Sequence, residues 1–272
     1  KPDYGVLGEG EETFAEICQR LKDKLSFEGA KGIVYRAETG ITHAIPRQLI
    51  ENLDELPFPR RDYIDIDKYK KNHVSRGISR KYLKIAEMIL SRGCPGKCIF
   101  CATNVTWKNK IRFRSIENIL SEIDHCREKF GINHFSFEDD SFSFNRNWAE
   151  ALCAKLKTMK VTWNCNLRVD MVTQDLLKLM AESGCIKVQF GIESGSQRIL
   201  DLIEKNTSIA EIRQAVDWAH LAKIKFIEGS FILGVHPEER PEDIFSTLRL
   251  IRQLKINLLI ASLACPFPGT RL

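Results

Sequence analysis

Three cysteines lie close together in the stretch SRGCPGKCIFCA, residues 91–102. Three residues separate Cys94 from Cys98, and two separate Cys98 from Cys101. Thiolates are ligands for zinc and for iron–sulfur clusters, and the proline and glycine between the first two cysteines predict an exposed loop. Metals that bind thiolates usually take four ligands, so these residues predict a metal site whose fourth position is filled from elsewhere.

Structural zinc is the first interpretation of such a loop. Closed zinc sites usually combine two ligand pairs at short spacing. This chain has one cluster of cysteines, and its histidines are dispersed at positions 43, 73, 125, 134, 220 and 236. An iron–sulfur cluster with three protein thiolates leaves one iron open, and an open position is what a catalytic metal site needs. The spacing therefore favours an iron–sulfur cluster with a small molecule on the remaining iron, and zinc stays as the alternative.

The remaining cysteines predict a reducing environment. They are scattered singly, mostly in apolar surroundings, at Cys18, Cys126, Cys153, Cys165, Cys185 and Cys265. Isolated cysteines of this kind are usually small buried hydrophobic residues. The total of nine is odd, and the N-terminus lacks the basic and then apolar pattern of a secretory signal. We therefore expect free thiols and a cytoplasmic location.

The composition is that of a globular protein, with 43% hydrophobic and 28% charged residues among 272. No run of 18 apolar residues is present, so no membrane span is expected. The net charge of +5 is too small to indicate a partner by itself. The chain begins with Lys-Pro rather than Met, and we expect it to be part of a longer or processed protein.

From about residue 81 the chain alternates between two kinds of segment. Strand-like apolar runs fall at 82–90, 132–137, 161–167, 186–192, 226–235 and 256–265. Helix-like segments fall at 115–130, 146–159, 173–184, 196–205, 209–223 and 240–254, with Ser115 and Thr173 placed as N-caps. The alternation predicts an α/β fold with a parallel sheet of βαβ units, and six units are fewer than the eight of a closed barrel. We expect a partial (β/α)6 barrel or a doubly wound sheet, with ligands at the carboxyl ends of the strands.

Residues 1–80 do not share this rhythm. Residues 4–25 predict a strand end, a glycine-rich turn and a helix, and residues 32–45 predict a hairpin with its turn at Thr39-Gly40. Residues 53–63 are rich in proline and charge, which is typical of a linker.

The cysteine spacing, with Phe100 just before the last cysteine, resembles the signature of the radical S-adenosylmethionine superfamily. The resemblance implies a [4Fe–4S] cluster on Cys94, Cys98 and Cys101, with the amino and carboxylate groups of S-adenosylmethionine on the fourth iron. It implies reductive cleavage of that cofactor to a 5′-deoxyadenosyl radical, with the electron supplied by a donor such as flavodoxin or ferredoxin. The implied fold is a radical S-adenosylmethionine core, a partial (β/α)6 barrel, at residues 81–272.

Other segments resemble motifs that contact S-adenosylmethionine in this superfamily. Glu138, Asp139 and Asp140 follow the second strand, where the resemblance implies contact with the methionine amino group. Arg168 and Glu193 follow the third and fourth strands and match positions that meet the cofactor. A solvated acidic loop and a surface arginine are the alternative interpretations.

Two further positions complete the predicted cofactor site. Lys205, in DLIEKNT, resembles a basic residue that pairs with the cofactor carboxylate. Ser230, in GSFILGVHPEE, resembles a residue that meets the ribose, beside apolar residues that pack on the adenine. His236-Pro237 departs from the Pro-Gly of relatives, so we expect the loop after Gly234 to differ from theirs.

The N-terminal stretch DYGVLGEGEETFAEI resembles the last strand, turn and helix of a cobalamin-binding domain. On that resemblance, residues 1–25 are the end of such a domain, 26–80 are a linker with a hairpin, and 81–272 are the core. The cobalamin-associated branch includes methyltransferases and a tetrapyrrole ring cyclase. It implies a small-molecule substrate and cobalamin bound mainly by a domain upstream.

Two other functions are compatible with these residues. WKNKIRFRS, residues 107–115, interleaves aromatic and basic residues, as RNA-binding segments do, and the methylthiotransferases of the same superfamily modify RNA. No appended RNA-binding module is apparent, so nucleic acid is not the expected partner. The other alternative is a non-enzymatic binding module stabilised by zinc or by a cluster.

Overall fold

The computed structural model describes residues 2–37, 40–65, 68, 74–75, 78–79 and 84–272. Its strands, in chain order, are β1 Tyr4–Val6, β2 Ile33–Ala37, β3 Gly40–His43, β4 Val74–Ser75, β5 Ile78–Ser79, β6 Ile85–Met88, β7 Ser91–Arg92, β8 Arg112–Phe113, β9 His134–Phe137, β10 Thr162–Arg168, β11 Cys185–Glu193, β12 Phe226–Leu233 and β13 Leu258–Leu263. Its α-helices are α1 Glu11–Lys22, α2 Thr103–Trp107, α3 Ile116–Phe130, α4 Arg146–Met159, α5 Gln174–Glu182, α6 Gln197–Leu202, α7 Ile209–Leu221 and α8 Pro241–Gln253. Short 3-10 helices lie at Leu53–Glu55, Arg61–Tyr63 and Val169–Met171.

Six parallel strands form the central sheet, in the order β13-β12-β11-β10-β9-β6. The strands at the two edges, β6 and β13, do not pair with each other, so the sheet is an open half-barrel. The predicted α/β fold and the partial (β/α)6 barrel are confirmed. Each predicted strand is present, and the bounds differ by a few residues.

The two faces of the sheet differ because side chains alternate along each strand. Phe135, Phe137 and Trp163 are fully buried in the main hydrophobic core, which the sheet shares with the helices. The alternate residues, including His134 and Asn164, face the concave side. His134 Nε2 lies 2.8 Å from Asn164 Oδ1, and neither side chain is more than 8% exposed. The floor of the half-barrel is therefore polar and closed by its own hydrogen bonds.

The predicted helix caps are present in the structure. The Ser115 hydroxyl accepts a hydrogen bond from the Asn118 N–H at 3.1 Å, at the start of α3, and Thr173 caps α5 in the same way. The helix predicted over 196–205 is wrong at its end, because it stops at Leu202. Glu204 has a φ of 52°, which an α-helix cannot contain.

The N-terminal segment folds against the barrel. β1 pairs with β2 and β2 with β3, both antiparallel, so the predicted hairpin forms, although Thr39 lies outside the described residues. Arg61, in the predicted linker, binds Glu122 of α3 at 2.7 Å. The division at residue 25 stays a prediction, and the β1–β2 pairing crosses it. No helix in the described ranges is long and apolar enough to cross a membrane.

Candidate active site

The cysteine loop leaves the sheet at the carboxyl end of β6. Cys98 is buried, at 8% exposure, and Cys94 and Cys101 are half-buried. The Cys101 N–H donates to the Cys98 carbonyl at 3.2 Å, and the Asn104 amide donates to the Gly96 carbonyl at 2.6 Å. These contacts fold the loop back on itself. All nine cysteines lie in described residues and are free thiols.

Positive groups and N–H donors surround the sulfur atoms. The Gly96 N–H donates to Cys94 Sγ at 3.3 Å, and Arg168 Nη1 lies 3.9 Å from Cys98 Sγ. Burial raises the pKa of the Cys94 and Cys98 thiols, while Lys205 and Arg168 partly offset this at Cys98. Metal binding must displace the thiol protons, and the nearby cations then stabilise the thiolate charge.

Gly96 makes room for this arrangement. A Cβ at that position would lie 3.2 Å from Cys94 Sγ and 3.1 Å from Arg168 Nη1, so a side chain there would crowd both groups. A cavity of about 400 Å³ adjoins Cys98 and Cys101. The loop therefore presents Cys98 and Cys101 next to open space.

Three thiolates are a donor set that iron–sulfur clusters use. Among the described residues, no three or more His, Cys, Asp or Glu side chains are grouped closely enough to hold one metal ion. An iron–sulfur cluster binds each thiolate through a different iron, so its ligands need not converge on one point.

A buried ion pair adjoins the cysteines. Lys205 Nζ lies 2.7 Å from Glu193 Oε1, and the two residues are 5% and 6% exposed. Burial opposes the charge of Lys205, but the attraction of Glu193 and of Cys98 leaves the pKa of Lys205 above its usual value. Gly191 permits the pairing, since a Cβ there would lie 2.8 Å from Glu193 Oε1.

Backbone geometry supports the position of Glu193. Its φ of 68° falls in the left-handed region, which is uncommon for a residue with a side chain. The pairing of β11 with β12 shifts register between Gly191 and Glu193. Strained residues of this kind persist only where their surroundings fix them, and they cluster at functional sites. The Glu193 carboxylate contacts Lys205 at this irregularity.

Arg168 is held in place from two sides. Its Nε and Nη2 atoms donate to the Asp170 carboxylate at 3.0 and 2.9 Å, and Nη2 also donates to the Lys205 carbonyl at 2.8 Å. The third nitrogen, Nη1, is left to face Cys98. The guanidinium thus links the end of β10, the segment after α6 and the cysteine loop.

The three acidic residues after β9 have different surroundings. Asp139 is 2% exposed and accepts hydrogen bonds from the Leu90 N–H at 3.1 Å, the Ser91 hydroxyl at 2.6 Å and the Ser91 N–H. Burial raises the pKa of Asp139 to about 7. Its carboxylate therefore holds the backbone that leads from β6 into the cysteine loop.

Asp140 and Glu138 each accept a hydrogen bond from a hydroxyl side chain. The Asp140 carboxylate accepts a hydrogen bond from the Thr103 hydroxyl at 3.0 Å, and its charge contributes to raising the pKa of Cys94. Asp140 is exposed at the surface, although partial desolvation of its carboxylate raises its pKa. Glu138 is half-buried and accepts from the Ser136 hydroxyl at 2.6 Å.

We expect Asp139→Ala to lower the free energy of unfolding by about 1–3 kcal/mol, because it leaves buried donors without an acceptor. Urea denaturation of the metal-free protein would measure the loss. Asp139→Asn is the matched control: it keeps the oxygen that accepts from Leu90 and Ser91, so its loss should be smaller. Wild-type stability of the alanine variant would contradict this role.

Phe100 and Ser230, the remaining residues predicted to contact the cofactor, lie in different parts of the structure. Phe100 is partly buried and packs against the main core. Ser230 is half-buried on β12, opposite Gly191 of β11. The structure thus gathers Arg168, Glu193 and Lys205 around Cys98, with Asp140 beside Cys94, and it directs Asp139 and Phe100 into the scaffold.

The sequence profile of the Radical SAM superfamily matches residues 88–251. The chain belongs to the radical S-adenosylmethionine superfamily. It is 34% identical, over 99% of its length, to an uncharacterised methyltransferase of Pyrococcus horikoshii, and 28% identical, over 86%, to the cytidylyl-2-hydroxyethylphosphonate methyltransferase of Streptomyces wedmorensis. It spans 57% and 48% of the length of these relatives.

A solved structure shares the fold of this radical S-adenosylmethionine chain. The methyltransferase TsrM from Kitasatospora setae, with cobalamin and a [4Fe–4S] cluster bound, superposes with a TM-score of 0.76 over 99% of this chain and 52% of its own, at 17% identity. The superposition supports the half-barrel architecture.

Sequence reasoning missed three residues of the site. Asp170 orients Arg168, and Asn104 closes the cysteine loop. Arg271 donates to the Lys97 carbonyl, and its backbone N–H donates to the Ile99 carbonyl at 3.0 Å. No local sequence pattern marks Asp170 or Asn104 as a residue of the site. Arg271 lies in CPFPGTRL, which resembles a superfamily segment, so its neighbourhood carried a signal.

The aromatic side chains of residues 107–115 pack against other residues of this radical S-adenosylmethionine protein. The ring of Trp107 lies beneath the guanidinium groups of Arg92 and Arg112, at 5.5 and 5.6 Å. Phe113 packs on Trp148 with ring centroids 5.0 Å apart. The aromatic surface needed for stacking on RNA bases is thus already occupied.

Proposed function

We propose that the chain holds a [4Fe–4S] cluster and S-adenosylmethionine and is the radical-generating core of a methyltransferase or of an enzyme with related C–H chemistry. The observation that carries the proposal is the set of three thiols beside Arg168 and the buried Lys205–Glu193 pair, at the carboxyl ends of parallel strands. When bound, the cluster supplies the electron that cleaves S-adenosylmethionine to methionine and a 5′-deoxyadenosyl radical.

Cys94, Cys98 and Cys101 would hold the cluster. Arg168 and the Gly96 N–H would stabilise the negative charge on the sulfur atoms, since hydrogen bonds to the sulfurs tune cluster potentials. Asp170 would act through Arg168 by fixing the orientation of its guanidinium.

The Lys205–Glu193 pair has the charges needed to bind an amino acid group. A lysine ammonium attracts a carboxylate, and a glutamate carboxylate attracts an ammonium. The methionine portion of S-adenosylmethionine carries both groups. We assign Lys205 to its carboxylate and Glu193 and Asp140 to its ammonium, with Ser230 toward the ribose.

We include cobalamin in this proposal because the structurally similar methyltransferase TsrM binds it. A cavity of about 770 Å³ lies between α1, the segment at 53–59 and the edge strand β6, and Glu138 is part of its wall. Most of its lining is apolar, as expected for a site that takes a large organic molecule. We propose that this cavity receives cobalamin, held mainly by a part of the protein outside this chain, or a small-molecule substrate.

Cofactor cleavage tests the proposal directly. The iron-loaded protein, supplied with dithionite and S-adenosylmethionine under anaerobic conditions, should release methionine and 5′-deoxyadenosine even without substrate. A flavodoxin or ferredoxin should replace dithionite as the electron donor. Iron loading without cleavage would indicate a binding module, and selective loading of zinc in place of iron would indicate a structural zinc site.

A further inference from the structure

A two-stranded ladder closes the base of the cysteine loop. β7 pairs antiparallel with β8, and Arg92 lies directly opposite Arg112. Like charges placed opposite each other on neighbouring strands repel and destabilise the pairing. This ladder encloses residues 93–111, which include the three cysteines and α2. A compensating anion is therefore needed at the point where the loop begins and ends.

Glu9 supplies that anion from the glycine-rich turn between β1 and α1. Its carboxylate lies 2.6 Å from Arg92 Nη1, and its two oxygens lie 2.9 and 2.8 Å from Arg112 Nη1. It also accepts a hydrogen bond from the Ile50 N–H at 2.6 Å and is only 6% exposed. Burial opposes its charge, but the two arginines hold the pKa of Glu9 below its usual value.

The surroundings make Arg112 depend on Glu9 more than Arg92 does. Nε and Nη2 of Arg112 are buried with no hydrogen-bond partner among the described residues, so its contact with Glu9 is its main source of charge compensation there. Arg92 is also paired with Glu11. Both guanidinium groups lie over the ring of Trp107, the last residue of α2. A change in their positions would therefore also change the packing of α2 within the loop.

We propose that Glu9 is a positioning residue that fixes the cysteine loop by bridging Arg92 and Arg112 across its base. The glycine-rich turn thereby ties the N-terminal segment to the metal site, and the loop takes its ligand geometry before any metal arrives. The link to a cluster rests on the proposed function. The effect on the loop itself is a property of the metal-free protein.

The test compares Glu9→Gln with Glu16→Gln. Glu16 is a matched control because it also binds two arginines, Arg20 and Arg47, but both belong to the N-terminal segment. In the metal-free protein, Glu9→Gln should speed hydrogen exchange roughly tenfold in residues 93–111, whereas Glu16→Gln should leave that segment unchanged. After anaerobic reconstitution, the iron content should fall in the Glu9 variant alone.

A double variant separates charge compensation from general destabilisation. Glu9→Gln combined with Arg112→Gln removes the repulsion together with the anion, so it should regain most of the lost protection and iron. If the single variant does not fold, recovery of folding by the double variant supports the proposal and failure to recover overturns it. Wild-type exchange at 93–111 in Glu9→Gln also overturns it. If wild-type protein takes up no iron, the proposed function fails, and the exchange comparison still decides the role of Glu9.

Discussion

Cys98→Ala is expected to abolish iron loading and cofactor cleavage together. Cys98 is the most buried of the three thiols, and Arg168 Nη1 lies 3.9 Å from its sulfur. Removing the sulfur takes away one of the three thiolates in the loop, and it leaves the Arg168 guanidinium with Asp170 as its anionic partner. Iron content and visible absorption after anaerobic reconstitution measure the first effect, and release of 5′-deoxyadenosine measures the second.

Cys165→Ala is the matched control for this experiment. Cys165 is 1% exposed, is also a free thiol, and belongs to the main core rather than to the loop. Its variant should lose some stability but keep its iron. Cleavage by the Cys98 variant at the wild-type rate would end the radical interpretation, and loss of iron in the Cys165 variant alone would relocate the site.

Lys205→Met is expected to lower the free energy of unfolding by about 3–5 kcal/mol, because it leaves the Glu193 carboxylate buried without a partner. Affinity for S-adenosylmethionine should also weaken, by about 1.5–3 kcal/mol, the range for a hydrogen bond to a charged group. Adding Glu193→Gln should restore most of the stability and none of the affinity. Denaturation of the metal-free protein and equilibrium binding to the iron-loaded protein measure the two effects.

The sheet offers a second buried pair as a control. Lys187 Nζ lies 2.7 Å from Glu228 Oε2 on neighbouring strands, and both residues are at most 2% exposed. Lys187→Met should cost comparable stability while leaving cofactor affinity unchanged, because the pair lies in the floor of the half-barrel. Unchanged binding in the Lys205 variant would remove that residue from the cofactor site and leave the cluster assignment standing.

The strands and helices of the barrel were predictable because their signals are local. Apolar residues recur with the period of each element, and Ser115 and Thr173 stand where an N-cap must be. The end of α6 was not predictable in this way. Glu204 adopts a left-handed conformation there, and this turns Lys205 inward to meet Glu193, a residue on a different element.

Pairings between residues of the site were likewise predictable only where those residues are neighbours in the sequence. The three cysteines could be recognised because they are neighbours in the chain. The buried pairing of Glu9 with Arg92 and Arg112 joins residues that are far apart in the chain, and no periodicity predicts which charges will meet after folding. The ligand contact of Asp139 stays a prediction, and the sequence did not indicate that its carboxylate binds the backbone donors of Leu90 and Ser91.

The order of strands in the half-barrel is the order in which a ribosome would produce them. Each strand after β6 adds to the edge left by the one before it, so the sheet can grow as synthesis proceeds. The cysteines emerge near the beginning of this process, whereas Arg168 arrives with β10 and Lys205 only after β11 and α6. The nascent chain therefore displays its thiols before the cations that stabilise their thiolate form, and the site becomes complete only when most of the barrel has been made.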